Sequence, residues 1–295
     1  MRIVDLSEEP AGLSVKNAQL VIRREEQPDV TLPLEELVAL VVSHPAVHYT
    51  HAALAGVCAN GGAVILCNEK RLPIGMLLPL VGHFTQTERF AAQAEAALPT
   101  KKQLWRQVIR AKILAQAHTL RDVRGEDFGL VTLARKVRSG DPENLEGQAS
   151  RKYWPALCGD EFHRVPGGVD PMNRLLNYGY AILRGVTARA ICATGLHPSL
   201  GIHHHNRYNP FCLADDIMEP FRPLVDRQAV ILIDSRGPET PLDKESKTYL
   251  IGAIMAARYT IDKESRTLFD TLAHVSASLA GVFTGERRRI ILPEV

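Results

Sequence analysis

One change of texture, near residue 84, constrains this chain more than any other feature of its sequence. Before it, apolar runs are short, many alternate with polar residues, and Pro28, Pro33, Pro45 and Pro73 interrupt them. After it, apolar residues recur at helical spacing through long stretches with few breakers. Prolines at that spacing suit short strands in a small sandwich better than a long helix. Arg2–Leu6, Leu13–Lys16, Leu20–Arg24, Leu37–Val42 and Ala63–Cys67 therefore read as strands. Thr50 caps a short helix, His51–Ala59, which Gly61-Gly62 terminates.

Beyond the change, Thr85–Leu98, Thr100–Asp122 and Glu126–Arg138 read as helices, with Pro99 and Thr100 as linker and cap. A further helix is expected to start at Asp141-Pro142, with proline at its first position. Asp170-Pro171 opens a long helix that Gly195 closes, and Lys244–Tyr259 and Glu264–Thr284 follow. The expected fold class is α+β: a small amino-terminal β-sandwich domain over residues 1–84, then a larger all-α domain over 101–295. Residues 85–100 form the linker and first helix. The βαβ alternation of a parallel sheet is expected to be absent, and GxGxxG, Walker and GxSxG motifs do not occur. These observations disfavour P-loop nucleotide hydrolysis and the α/β-hydrolase triad.

Composition narrows the class further. With 45% hydrophobic and 23% charged residues the chain is an ordinary globular sequence. It has no uncharged apolar run of about 18 residues, so no membrane span is expected. The opening MRIVDLSEEP has neither the basic end nor the apolar core of a signal peptide. The five cysteines are scattered and form no CxxC pair, which argues against a disulfide framework or structural zinc and fits a reducing cytoplasm.

The net charge of +2 conceals a split. Residues 1–95 carry 7 basic and 11 acidic side chains, whereas residues 101–138 alone carry 10 basic and 3 acidic. Lys102, Arg106 and Arg110 recur every four residues as a ridge, away from the apolar stripe Leu104, Val108, Ala111 and Ala115. An excess of this size can guide a polyanion, and on charge alone a solvated helix face explains it equally well.

The densest polar segment is GIHHHNRYNPFCLADDIMEPFRP, residues 201–223. Three histidines in a loop precede Asp215, Asp216 and Glu219 on the next helix, where the 216/219 and 215/219 spacings each share a face. Like charges at that spacing repel, and a divalent cation would relieve the repulsion. Imidazole with carboxylates suits manganese and related ions. The competing account has exposed loop histidines and acids that favour a helix N-terminus. Pro220 and Pro223 remove two helical amide donors, so this element should be kinked. In LEGQASRKYW, residues 145–154, Leu145, Ala149 and Tyr153 form a buried face beside Glu146, which on spacing alone is a surface glutamate near a helix start.

EGQASRKYW, DPMNRLLNYGYAIL and GIHHHNRYNPFCLADDIMEPFRPLVD resemble, in order, the signature segments of the CRISPR-associated protein one family, the adaptation integrase, in the version found with type II systems. The resemblance covers nearly the whole chain. It implies a metal-dependent DNA endonuclease and integrase that inserts captured fragments into a CRISPR array. The reaction would be attack of a 3′-hydroxyl on a repeat-edge phosphodiester, assisted by Mn2+ or Mg2+. The implied catalytic and metal-binding residues are Glu146, His204 and Glu219, with His203 and His205 offering the same chemistry beside His204. Asp216, Asn173, Asn177 and Tyr178 fall on supporting positions. Lys102, Arg106, Arg110, Arg135, Lys136 and Arg138 become a candidate phosphate track, and Arg151 and Arg222 lie beside the acidic motifs. Implied partners are double-stranded DNA, a second copy docked through the β-rich domain, and a small ferredoxin-like second adaptation subunit, with no membrane. A non-catalytic DNA-binding scaffold and a general repair metallonuclease acting on branched DNA are the rival readings. The basic triplet Arg287-Arg288-Arg289 could touch DNA or a partner, or simply close the chain.

Overall fold

In the computed structural model, which describes residues 1–69 and 73–294, the short alternating runs become strands. They are β1 (Arg2–Leu6), β2 (Gly12–Lys16), β3 (Gln19–Arg23), β4 (Val30–Pro33), β5 (Leu37–Val42), β6 (His48–Tyr49), β7 (Ala63–Cys67) and β8 (Pro73–Leu77). Helix α1 (His51–Ala59) joins β6 to β7, and its Thr50 hydroxyl accepts a hydrogen bond from the Ala53 amide at 3.2 Å. The strands form two four-stranded sheets, ordered β1-β5-β7-β8 and β4-β3-β2-β6.

Parallel pairing corrects the expectation that no βαβ unit is present. β5 pairs in parallel with both β1 and β7, and α1 lies in the crossover between β5 and β7. The reason lies in β5 itself, whose six residues are all buried. Leu37, Leu40 and Val42 face a cluster shared with Leu13, Leu20, Leu32 and Val57. Val38, Ala39 and Val41 face the main core with the helices. A strand covered on both faces reads as a continuous apolar run, the signature of a central parallel strand.

The remaining elements are α2 (Gln86–Glu95), α3 (Leu98–Arg124), α4 (Leu130–Lys136), α5 (Leu145–Cys158), α6 (Pro171–Ala193), α7 (Cys212–Met218), α8 (Arg222–Arg236), α9 (Lys244–Ala256), β9 (Arg258–Ile261), β10 (Glu264–Thr267) and α10 (Leu268–Phe283). The carboxy-terminal region is thus helical but not all-α. Residues 258–267 form an antiparallel hairpin, which takes the last two residues of the helix expected to end at Tyr259 and the first four of the one expected to start at Glu264. Asp262 and Lys263 adopt positive φ (52° and 66°), the backbone of a two-residue hairpin turn, and Arg258–Ile261 is rich in the residues a strand favours.

Besides α4, which begins at Leu130 behind Gly129 (φ 79°) rather than at Glu126, two helix starts differ from expectation. Pro99 lies inside the first turn of α3 rather than before it, and Ala97 stands at the cap without a side-chain bond. At the second, α5 begins at Leu145, not at Pro142, because side chains fix a later start. Asn144 accepts from the Gly147 amide at 3.1 Å, and the Asp141 carboxylate accepts from the amides of Leu145 (2.9 Å) and Glu146 (3.0 Å). The long α6 starts as expected, with Asp170 accepting from the Asn173 amide at 2.9 Å and Pro171 in the first turn. It runs across the sheet so closely that a Cβ on Gly185 would lie 2.5 Å from Ile65 Cδ1 and would have to push that side chain aside.

Candidate active site

The site is built where α3, the start of α5 and the bend between α7 and α8 converge. Pro220 and Pro223 bend the chain as expected: α7 ends at Met218, Glu219–Phe221 forms a tight 3-10 turn, and α8 starts at Arg222. The bend turns Glu219 inward, where it is 4% exposed. Glu146, in the first turn of α5, is half-buried beside it.

One cation joins the two acids. The Lys112 ammonium on α3 lies 2.6 Å from Glu146 Oε1 and 2.7 Å from Glu219 Oε2. Arg222 Nε takes the other Glu219 oxygen at 2.9 Å. Burial pushes the Glu219 carboxyl up, but Arg222 and Lys112 outweigh burial and hold it down at about 2. Burial likewise opposes the charge on Lys112, and Glu219 and Glu146 raise its pKa above the ordinary lysine value. Glu219 Oε2 is buried with the ammonium close by, yet no hydrogen bond to it is aligned.

The histidine loop is held from behind. Asp216, fully buried, accepts from the amides of Ile202 (2.6 Å), His203 (3.0 Å) and His204 (3.2 Å) and contacts His204 Nδ1 at 2.6 Å. Its hydrogen bond raises the His204 pKa against burial. With Nδ1 engaged, Nε2 is the ring nitrogen left to meet a ligand. Gly201 is required at the turn, since a Cβ there would lie 2.2 Å from the His204 carbonyl oxygen and 3.0 Å from Asp216 Oδ2. The neighbouring histidines are engaged differently. His203 stacks on Trp105 at 4.1 Å with the rings 5° from parallel, and His205 Nδ1 meets the His203 carbonyl at 2.7 Å.

The acids that share a helix face do not share a partner. Asp215 receives Arg184 Nε (2.7 Å) and Asn209 Nδ2 (2.7 Å), Asp216 holds the histidine loop, and Glu219 meets Lys112 and Arg222. Among the described residues no three His, Cys, Asp or Glu side chains stand close enough together to enclose an ion. The lysine ammonium occupies the space between the two carboxylates instead. Oxygen ligands with one imidazole nitrogen still make a donor set suited to manganese or magnesium, and the unaligned Glu219 Oε2 is an acceptor such an ion could use.

The supporting residues act at a distance. Asn173 and Asn177 accept from Arg164 at 2.7 Å each and fasten the loop 163–168, while Tyr178 donates to Asp5 of β1. None of these bonds reaches Glu146, His204 or Glu219. Arg164 and Arg222 both lie over the Tyr180 ring, at 5.2 and 4.7 Å, which links that loop to the site. Behind Arg222, buried Asp226 accepts from Tyr153 (2.9 Å) and Tyr180, and burial raises its carboxyl to about 6 despite those bonds.

Lys102, Arg106, Arg110, Arg135, Lys136, Arg138 and Arg151 are all exposed. Arg138 pairs with Glu143, and Arg222 is committed to Glu219 rather than free at the surface. Arg106 and Arg110 line a groove of about 660 Å³ together with Arg288 and Arg289 of the carboxy-terminal tail. Motif reading does not single out Lys112, Trp105, Arg184, Tyr180 or Asp226. Lys112 carries a signal all the same, because it follows Trp105 and Ile109 at helical spacing on a face that is otherwise apolar.

The family model described as CRISPR associated protein Cas1 matches residues 5–250. A CRISPR-associated endonuclease Cas1 from Neisseria meningitidis serogroup C is 36% identical over 290 residues, covering 96% of this chain and 93% of that protein. Among solved structures, a casposase bound to integration product superposes with a TM-score of 0.79 at 19% identity, covering 99% of this chain and 93% of the other. A CAS1 protein from Thermotoga maritima superposes at 0.75 with 18% identity, covering 97% of each chain. With its ordered motifs, strand-rich amino-terminal region and helical carboxy-terminal region, the chain belongs to the Cas1 family of CRISPR-associated proteins.

Proposed function

We propose that the chain is a metal-dependent DNA endonuclease and integrase that joins captured fragments to a CRISPR array. In this reading a fragment's 3′-hydroxyl attacks a repeat-edge phosphodiester, and the leaving 3′-oxygen departs without a covalent enzyme intermediate. The observation that carries it is the meeting of Glu146 and Glu219, 73 positions apart in the chain, within 2.7 Å of one ammonium. The His204 ring, oriented by Asp216, is near enough for its charge to act on Glu219. Glu146, His204 Nε2 and Glu219 would hold Mn2+ or Mg2+. When bound, the ion lowers the pKa of the attacking hydroxyl and stabilises charge on the reacting phosphate.

The chain's own groups do the rest. Asp216 fixes the tautomer and direction of His204, and Arg222 neutralises one Glu219 oxygen from the protein side. Lys102, Arg106, Arg110, Arg135, Lys136, Arg138 and Arg151 would hold phosphates and position the duplex without reading its sequence. A homodimer through the strand-rich region, in the manner of a sandwich domain, and a small ferredoxin-like second subunit complete the assembly we infer.

The test is strand joining of a labelled fragment to a repeat-containing duplex in Mn2+ or Mg2+. Glu146→Gln and His204→Ala should each reduce joined product by at least about 100-fold, with thermal unfolding and DNA retention on filters preserved. Product that survives either substitution or saturating chelator overturns the reading. Retained binding with no product from the wild type under any metal condition would favour the scaffold.

A further inference from the structure

Among the described residues Lys112 is the one cation that touches both acids. Its side chain is 11% exposed and that of Glu219 is 5%, against 29% for Glu146 and 42% for His204. The site therefore opens on the Glu146–His204 side and is closed behind Lys112. Without the ammonium, two carboxylates would face each other in a largely buried space with only Arg222 in compensation, and repulsion would drive them apart. A divalent ion held by these two carboxylates would compete for the space of Lys112 Nζ, which lies 2.6 and 2.7 Å from their oxygens. Ammonium and ion cannot occupy that space together, and their like charges repel.

We propose that Lys112 is the resident counter-cation of the Glu146–Glu219 pair, holding both carboxylates in register until a divalent ion displaces its ammonium. The proposal rests on reading Glu146 and Glu219 as ion ligands and adds a competitor inside the site. Lys112 has the flexible four-carbon stem that such a movement needs, whereas a guanidinium has a rigid fork. The displaced ammonium can leave only by the open side, where a phosphate of the nucleic acid would meet it. Lys112 is thus a positioning residue in the ion-free protein, and its presence weakens the affinity for the ion.

Mn2+ titrated calorimetrically into the DNA-free full chain tests this, with the wild type compared to Lys112→Met. The variant should bind Mn2+ at least tenfold more tightly, unfold at a lower temperature without ion, and show the larger ion-induced rise in Tm. A variant that binds Mn2+ no more tightly than the wild type overturns the proposal. A second measurement needs only the wild type: mass-spectrometric footprinting with an amine-acylating reagent. Lys112 should acylate slowly without ion and at least fivefold faster at saturating Mg2+ or Mn2+. Unchanged acylation in a protein that demonstrably binds the ion removes the lysine's role and leaves the ion site standing. Failure of both chains to bind Mn2+ removes the ion site and this proposal together.

Discussion

Helix α3 carries two kinds of positive charge, and they behave as different materials. On its inner face Lys112 is locked between Glu146 and Glu219, with Arg222 closing a set of two cations and two anions. On its outer face Lys102, Arg106 and Arg110 stand exposed, spaced one turn apart and committed to no carboxylate ion pair among the described residues. The inner set is geometry: each charge is placed to within a hydrogen-bond length and is costly to remove alone. The outer set is field: in the proposed function it would attract phosphate over a Debye length and would tolerate movement of any one member. The same residue types on one helix therefore stand in separate environments, and burial decides which.

This contrast is tested most severely at Glu219. Glu219→Gln leaves Lys112 and Arg222 facing less negative charge in a buried site, and should cost about 3–5 kcal/mol of stability by urea unfolding. The pH dependence has a definite sign. Because the folded pKa, about 2, lies below the ordinary carboxyl value of 4.5, the charge contributes fully above 4.5 and is lost as pH falls toward 2. The wild type and Glu219→Gln should therefore converge in stability across that window. Parallel curves would mean that the inner set is not coupled through this carboxylate.

A smaller effect is expected at Asp216. Asp216→Asn loses the charge behind three amides and one ring nitrogen, for about 1–3 kcal/mol, and should weaken Mn2+ affinity by roughly 10–100-fold. Mn2+ affinity equal to that of the wild type would show that the histidine loop orders itself without the carboxylate.

The outer face should respond least in stability and most in salt. Arg106→Ala with Arg110→Ala should change unfolding free energy by no more than about 0.5 kcal/mol. The slope of log affinity for duplex DNA against log salt should fall by roughly one for each phosphate that the variant no longer neutralises. An unchanged slope would remove these two residues from the phosphate track.

Much of this was legible from local chemistry. Thr50 and Asp170 cap their helices as their positions promised, and the paired prolines bend the chain after Met218. The stripe Leu145, Ala149 and Tyr153 is buried as its spacing required. The departures have one cause in common. Asp262-Lys263 turns the chain into a hairpin whose strands take the facing ends of two expected helices, and Asp141 delays α5 by bonding to amides downstream, so in both places a local detail overrides a pattern. Lys112 passes for one more member of a basic stretch because sequence shows its charge but not its neighbours.

From the amino-acid order alone came the change from strands to helices near residue 84, the order of the motifs, and the candidate donors Glu146, His204 and Glu219. The change of texture follows from interactions along the chain, whose reach is a few residues, whereas the three donors come from the family resemblance of the motifs, since spacing alone makes Glu146 a surface glutamate. Tertiary structure alone decided that Asp215, Asp216 and Glu219 serve three different partners, and that Lys112 rather than Arg222 spans both glutamates. It had to, because an electrostatic interaction depends on distance and on burial in space, and separation in sequence fixes neither.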